Sequence, residues 1–241
     1  MANIDVRRKA NWLGSSSRII KQLIVSVSSY ITLPFASYQE DAVCKHFQAQ
    51  YNGKYDPLCF DGKNKGYFEQ IETVYNLINF EGKQIIDLGC GDISLYYWLT
   101  DKLIKPKKYI GVDFATRPAC YDEPIFFLRK DLRKNHYQFQ KGDIAVAVNS
   151  LCYLSDQAID SLCVNLPNDF TFIIIEPFPG IFWDAYFDGC KLYYRSINHL
   201  VNRLSEFGLI SQKIAVDYGL ILFRQFLLPL SYCIVFKKNN L

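Results

Sequence analysis

The residues best placed for chemistry are aspartates at the ends of short apolar runs. The stretch Ile85-Ile86-Asp87-Leu88-Gly89-Cys90-Gly91-Asp92 sets a carboxylate and two glycines where a strand-type run stops. Glycine lets a backbone turn sharply and approach a ligand with no Cβ in the way. The next run, Tyr109-Ile110-Gly111-Val112, closes on Asp113, 22 residues beyond Gly91. At that distance an acidic side chain can accept hydrogen bonds from both hydroxyls of a ribose. A third run ends in Asp131-Leu132, a polar and apolar pair suited to the edge and face of an adenine, and a fourth ends at Asn149-Ser150-Leu151.

Two cofactor classes use such a layout. A dinucleotide loop wants G-x-G-x-x-G, its third glycine allowing close packing of the pyrophosphate-binding helix. Here Ser94 takes that position, and Asp87 would repel a pyrophosphate. A sulfonium amino-acid nucleoside reverses the preference, because its ammonium and its positive sulfur are attracted by carboxylates at Asp87 and Asp92. The residues therefore favour S-adenosylmethionine (SAM) over NAD.

An acceptor side can also be read. A fifth run ends in Glu176-Pro177-Phe178-Pro179-Gly180, and nine aromatic residues fall between Phe170 and Tyr194. Such a tract suits a large apolar or aromatic pocket, and cap packing without ligand contact is the alternative. Tyr153, Phe178, Phe182, Trp183, Tyr186 and Tyr194 are its expected lining, with Arg195 as an anchor for an anionic acceptor or as a solvated cap. A general base is needed only if the acceptor is protonated at working pH. Glu176, His136 and Asp184 are the candidates, while His199 reads as a packed or solvated helix residue.

The elements that must hold these groups follow from periodicity. Strands are expected at 84–88, 109–112, 125–128, 144–149, 170–176, 209–218 and 231–237, and helices near 93–103, 156–165 and 191–207. Strand and helix in alternation imply right-handed crossovers and a mostly parallel sheet covered on both faces. The last two strands lack a helix between them and are expected to pair as an antiparallel hairpin. Residues 83–241 then form a doubly wound α/β domain, residues 41–82 a helical cap with an apolar face at Phe68, Ile71, Val74, Tyr75 and Ile78, and residues 1–40 a basic arm.

The series from Ile85 to Asp92, Gly111-Val112-Asp113, Asp131-Leu132 and Ala145-Val146-Ala147-Val148-Asn149-Ser150 resembles the class I SAM-dependent methyltransferases over roughly residues 83–241. The resemblance implies a seven-stranded, mostly parallel sheet with a C-terminal antiparallel hairpin. It places Asp87, Gly89, Cys90 and Gly91 around the methionine part of the cofactor. Asp113, with Phe114 beside it, falls at the ribose, Asp131 and Leu132 at the adenine, and the Asn149 backbone at the sulfonium. The stretch Phe114 to Pro124 is short and proline-broken where the family usually has a helix, so the ribose-side wall is expected to be remodelled. No D/N-P-P-Y tetrapeptide follows Val148, and Glu176-Pro177-Phe178-Pro179 holds no nucleophilic cysteine. A small-molecule acceptor is the default, with a protein or peptide second. A non-methylating, SAM-binding role is the alternative of a different class.

Composition agrees with an ordinary globular chain: 241 residues, half of them apolar, 21% charged, net charge +3. Arg7, Arg8, Lys9, Arg18 and Lys21 against Asp5 and Glu40 carry that excess, so the body is balanced in formal charge and lacks a face that tracks phosphates. Nucleic acid is not expected as a partner. Eight scattered cysteines without a Cys-x-x-Cys pair read as reduced thiols in a cytoplasmic protein, with no metal site. Apolar residues at Ile20, Leu23, Ile24, Val27 and Ile31 recur at helical spacing. That amphipathic arm is read as a lid on the protein's own body, a contact with a membrane surface or partner, or a secretory signal. The protein is expected to be a monomer or homodimer.

Overall fold

The computed structural model describes residues 3–9, 78–91, 93–114, 124–134, 137–177, 184–187, 190–193, 195–221 and 226–238. The helical cap up to residue 77, the amphipathic segment Ile20 to Ile31, residues 115–123, and His136, Phe178, Phe182, Trp183 and Tyr194 lie outside them. The elements are β1 (Asn3–Lys9), β2 (Gln84–Leu88), α1 (Ser94–Asp101), β3 (Lys108–Asp113), β4 (Ile125–Arg129), β5 (Ile144–Val148), a 3-10 turn (Leu151–Tyr153), α2 (Asp156–Cys163), β6 (Thr171–Pro177), β7 (Asp184–Phe187), β8 (Cys190–Tyr193), α3 (Ile197–Ser205), β9 (Leu209–Ile221) and β10 (Phe226–Lys238).

The main sheet runs β1-β9-β10-β6-β5-β2-β3-β4. Strands β6, β5, β2, β3 and β4 are mutually parallel. Strand β10 runs antiparallel to both β6 and β9, as expected of the terminal hairpin. All seven expected strands are present, and an eighth joins them. Strand β1, read in the sequence only as part of a basic arm, pairs parallel to β9 from Asn3↔Lys213 to Lys9↔Gly219. Chain order reverses between β2 and β5, the switch point where ligands bind beyond the carboxyl ends of open α/β sheets.

Strand periodicity divides the core in two, because successive side chains face opposite sides of a sheet. On one face Ile86, Leu88, Ala145, Ala147, Phe172, Ile174, Tyr232 and Ile234 pack with Ile159 and Leu162 of α2 and with Leu200 and Leu204 of α3. On the other, Ile85, Tyr109, Ile144, Val146, Ile173, Ile175 and Cys233 pack with Leu95, Trp98 and Leu99 of α1. Runs such as Ile144–Val148 are apolar at every position because a parallel strand is covered on both sides. No described helix is long and apolar enough to cross a membrane.

One expected helix is corrected. Residues 191–193 belong to β8, which pairs antiparallel with β7, and α3 begins only at Ile197. The start is set by Ser196, whose side chain accepts a hydrogen bond from the His199 N–H and caps the helix. Asp188-Gly189 stands between the paired Phe187 and Cys190, a dipeptide strongly favoured in two-residue hairpin loops.

Replacing Ile174, fully buried in β6 under α2 and α3, with alanine is expected to lower unfolding stability by about 2–5 kcal/mol in a urea titration.

Candidate functional site

The expected cofactor residues come together at the carboxyl ends of β2, β3 and β5. Gly89 has φ +71°, and Gly91 and Ile93 are also left-handed at 49° and 54°. A Cβ on Gly89 would lie 2.5 Å from the Ser150 Cβ, so the loop after β2 and the turn after β5 are in direct contact. Gly111 is small for a related reason: a Cβ there would meet the Cys90 sulfur at 2.8 Å. Cys90 is therefore a packing residue by its side chain, and only its backbone faces the loop. The Gly89 and Cys90 N–H groups donate to the Val112 carbonyl at 2.7 and 3.2 Å, tying the glycine loop to the end of β3.

Two carboxylates are buried here. Asp87, 3% exposed, accepts a short hydrogen bond from the Tyr109 hydroxyl. Gly111 is the residue opposite Asp87 in register, and Tyr109 lies two residues before it on the same face of β3. Asp113 accepts the Gly91 N–H on Oδ2 at 3.0 Å. Tyr109 is a site residue the sequence reading did not assign. Its signal was a polar tip on a core strand, on the same face as Asp113.

After β4, Asp131 holds Arg133 through three bonds, from its backbone N–H and from Nε and Nη2, at 3.0, 2.9 and 2.7 Å. Burial pushes Asp131 up, but the Arg133 bonds and charge outweigh it and hold the carboxyl below its ordinary range. The Arg133 guanidinium stands 5.6 Å from the Phe114 ring centre, a cation–π arrangement. Leu132 is buried in the core. Asn149, φ +50°, leads the chain out of β5 and donates its N–H to the Ile175 carbonyl at 2.7 Å.

The acceptor side is organised around two charges. Glu176, at the end of β6, is 3% exposed and lies on the α2–α3 face, opposite in register to Tyr232. Its Oε1 accepts the Ser150 and Leu151 N–H groups at 3.0 and 2.7 Å, whereas Oε2 has no hydrogen-bond partner among the described residues. Burial raises its carboxyl to about 7 against those two N–H groups, the Arg195 charge and the Cys152 thiol. The Cys152 thiol is itself driven well above its ordinary value by burial and by Glu176. Arg195, expected to anchor an anionic acceptor, is 6% exposed and committed to the protein instead. Its Nε binds Asp156 at 2.7 Å, Nη1 the Leu151 and Tyr193 carbonyls at 3.0 and 2.9 Å, and Nη2 the Leu154 carbonyl at 2.5 Å. Five donors in a fixed fork suit this clamp, which ties the 3-10 turn, β8 and the start of α2 together.

The aromatic hairpin meets the same turn, Leu192 of β8 packing with Cys152 and Tyr153. Asp184 and Tyr186 lie on β7, paired in register with Tyr193 and Lys191. The reading also passed over Cys152, Asp156 and Tyr232, which carry no motif. They are polar groups recruited by tertiary packing around Glu176 and Arg195.

Substituting Arg195 with methionine removes a donor from Asp156, which keeps His199 and Arg203, and from the Leu151, Tyr193 and Leu154 carbonyls. It is expected to cost about 3 kcal/mol in chemical denaturation, more than an Arg203→Met change at the half-exposed pair with Asp160.

No protein-family model matches the chain, and no curated protein sequence matches it. Solved structures do match in shape. The 1,6-didemethyltoxoflavin-N1-methyltransferase of Burkholderia thailandensis, with bound 1,6-didemethyltoxoflavin and S-adenosylhomocysteine, superposes with TM-score 0.61 at 12% identity over 86% of this chain and 92% of its own. The CcbJ methyltransferase of Streptomyces caelestis matches with TM-score 0.54 at 12% identity, over 84% of this chain and 100% of that one. An S-adenosylmethionine dependent methyltransferase from Mesorhizobium loti matches with TM-score 0.53 at 16% identity, over 68% and 95%. Strand order, switch point and terminal antiparallel strands agree with these likenesses, and the chain has the fold of the SAM-dependent methyltransferases.

Proposed function

We propose that the protein is a SAM-dependent methyltransferase acting on a small molecule. The observation that carries the cofactor is the pair of buried carboxylates, Asp87 and Asp113, at the ends of adjacent parallel strands, beside a glycine whose missing Cβ lets the turn after β5 close on the loop. Both carboxylates already accept protein hydrogen bonds, and a ligand with an ammonium group and a ribose diol offers further donors to their remaining lone pairs. Asp87, Gly89, Gly91 and the Cys90 backbone hold the methionine part in this reading, and Asp113 the ribose. Phe114, Asp131 and Leu132 form the adenine side, and the Asn149 backbone lies at the sulfonium. When bound, SAM supplies an electrophilic methyl carbon.

The chain's own task is then to align an acceptor and exclude water. Tyr153, Phe178, Phe182, Trp183, Tyr186 and Tyr194 are proposed as the acceptor lining. The contact of β8 with Cys152 and Tyr153 supports this, because it sets the hairpin beside the turn after β5. His136 and Asp184 are the proposed proton acceptors where the methyl acceptor is protonated, and Glu176 has only Oε2 to offer, since Oε1 is held by the turn. The small-molecule reading draws on the Burkholderia neighbour, a methyltransferase with its small-molecule substrate bound.

Calorimetric titration with SAM, followed by mass spectrometry for a methyl gain on candidate acceptors, tests the proposal. Binding is expected with SAM and not with NAD. Binding without methylation of any acceptor would turn the reading toward a non-methylating role. Asp113→Ala removes the proposed ribose partner and the acceptor of the Gly91 N–H. It is expected to weaken SAM binding by about 1–3 kcal/mol, and unchanged affinity would undo the ribose assignment. Gly89→Ala forces a Cβ into Ser150 at a left-handed φ, and binding weaker by at least about tenfold is expected in the same titration.

A further inference from the structure

We propose that Glu176 is a positioning residue for the cofactor loops, coupling the ionisation of a buried carboxylate to cofactor binding. The inference rests on the cofactor reading above. Glu176 reaches the site from the α2–α3 face, whereas Asp87 stands on the strand face that packs with Tyr109 and α1. It acts through the backbone: both N–H groups on Oε1 belong to the turn that leaves β5 by way of left-handed Asn149. The Ser150 side chain of that turn closes directly on Gly89, with no room for a single methyl between them. A change in how firmly Glu176 holds Ser150 and Leu151 therefore reaches the glycine loop without passing through any mobile side chain.

Its surroundings raise the Glu176 carboxyl into the neutral range. It shares a small pocket with Cys152 of the turn, Tyr193 of β8, Arg195 ahead of α3, and Tyr232 of β10, and Asp156 is bound to Arg195. Burial and the charge of Glu176 push both the Cys152 thiol and the Tyr232 hydroxyl up, so both stay neutral. Burial raises Asp156, but the Arg195, His199 and Arg203 interactions prevail and keep it ionised. Glu176 is raised to about 7 by burial, against the two N–H groups, the Arg195 charge and the Cys152 thiol, and Oε2, without a geometric hydrogen-bond partner among the described residues, can take the proton without displacing either N–H. Above that pH Oε1 is part of a carboxylate, and its two hydrogen bonds are charge-assisted. Below it they weaken to those of a neutral carboxyl, and the turn is held less firmly.

Titration of wild-type protein with S-adenosylhomocysteine, between about pH 6 and pH 8, is expected to show affinity about fivefold lower at the acid end. The Ser150 and Leu151 amide resonances of the cofactor-free chain are expected to move with the same midpoint, near 7. Glu176→Gln keeps an oxygen acceptor for both N–H groups and carries no charge. It is expected to bind with affinity independent of pH, near the wild-type acid value, and its two amides are not expected to titrate. A flat wild-type affinity, or the same pH slope in Glu176→Gln, overturns the proposal and leaves the cofactor reading standing. Failure of S-adenosylhomocysteine to bind at any pH overturns the cofactor reading and the proposal with it, even where the amides titrate. Should Glu176→Gln fail to fold, the wild-type chain decides: coincident midpoints for affinity and amides support the coupling, and separate midpoints overturn it.

Discussion

The contact between Gly89 and Ser150 governs the geometry at the switch point. Strands β2 and β5 run parallel and adjacent, so the loops leaving their carboxyl ends compete for the same space. The competition is settled by a glycine on one side and a tight turn on the other, with a hypothetical Cβ 2.5 Å from its neighbour. Whatever fixes one loop therefore fixes the other. The β2 loop is tied to Val112 of β3, and the β5 turn is tied to Ile175 and Glu176 of β6. Four neighbouring parallel strands thus act on one point.

The two faces of the sheet divide the work. The face that packs with α1 carries Tyr109 and supports Asp87 next to the glycine loop. The face that packs with α2 and α3 carries Glu176 and Tyr232 and is closed by Arg195, whose own carbonyl accepts the Tyr232 hydroxyl at 3.0 Å. Glu176 and Arg195 each compensate the other's burial. A guanidinium with four protein acceptors and a carboxylate with two N–H donors are cheaper to bury than either charge alone. The arrangement ties the β7–β8 hairpin to the turn after β5, because Tyr193 and Leu151 offer their carbonyls to the same Nη1.

The sheet was legible because its signals are local and repeated. Runs such as Gln84–Leu88 and Ile144–Val148 announce buried parallel strands, and the glycines of Asp87–Gly91 mark the turn. The carboxylates Asp87 and Asp113 were legible for the same reason, each closing a run. Arg195 was misread because nothing in its own neighbourhood shows that Asp156 and the Leu151 and Leu154 carbonyls, about forty residues earlier, converge on it. Residues 191–193 of β8 were read as the start of a helix, since the apolar spacing from Leu192 onward also fits a helical period. Strand β1 lies at a sheet edge, where pairing is set by a partner more than two hundred residues away and leaves little trace in seven residues of mixed polarity.

Strain marks the same place as chemistry. Among the described residues four that are not glycine have positive φ, and two of them, Ile93 and Asn149, bound the loop after β2 and the turn after β5. Asparagine tolerates the left-handed region, but a β-branched residue there is a steric outlier. Ile93 stays because it is fully buried, because its N–H is held by the Cys90 carbonyl at 2.7 Å, and because its side chain fills the space above Gly111. A conformation that costs about 1–3 kcal/mol persists only where its surroundings over-determine it. Here the surroundings are the residues that also set Asp87, Asp113 and the glycine turn. The loop is therefore held in one sparse conformation before any ligand arrives, and the ordering cost of binding falls on the folded chain rather than on the ligand.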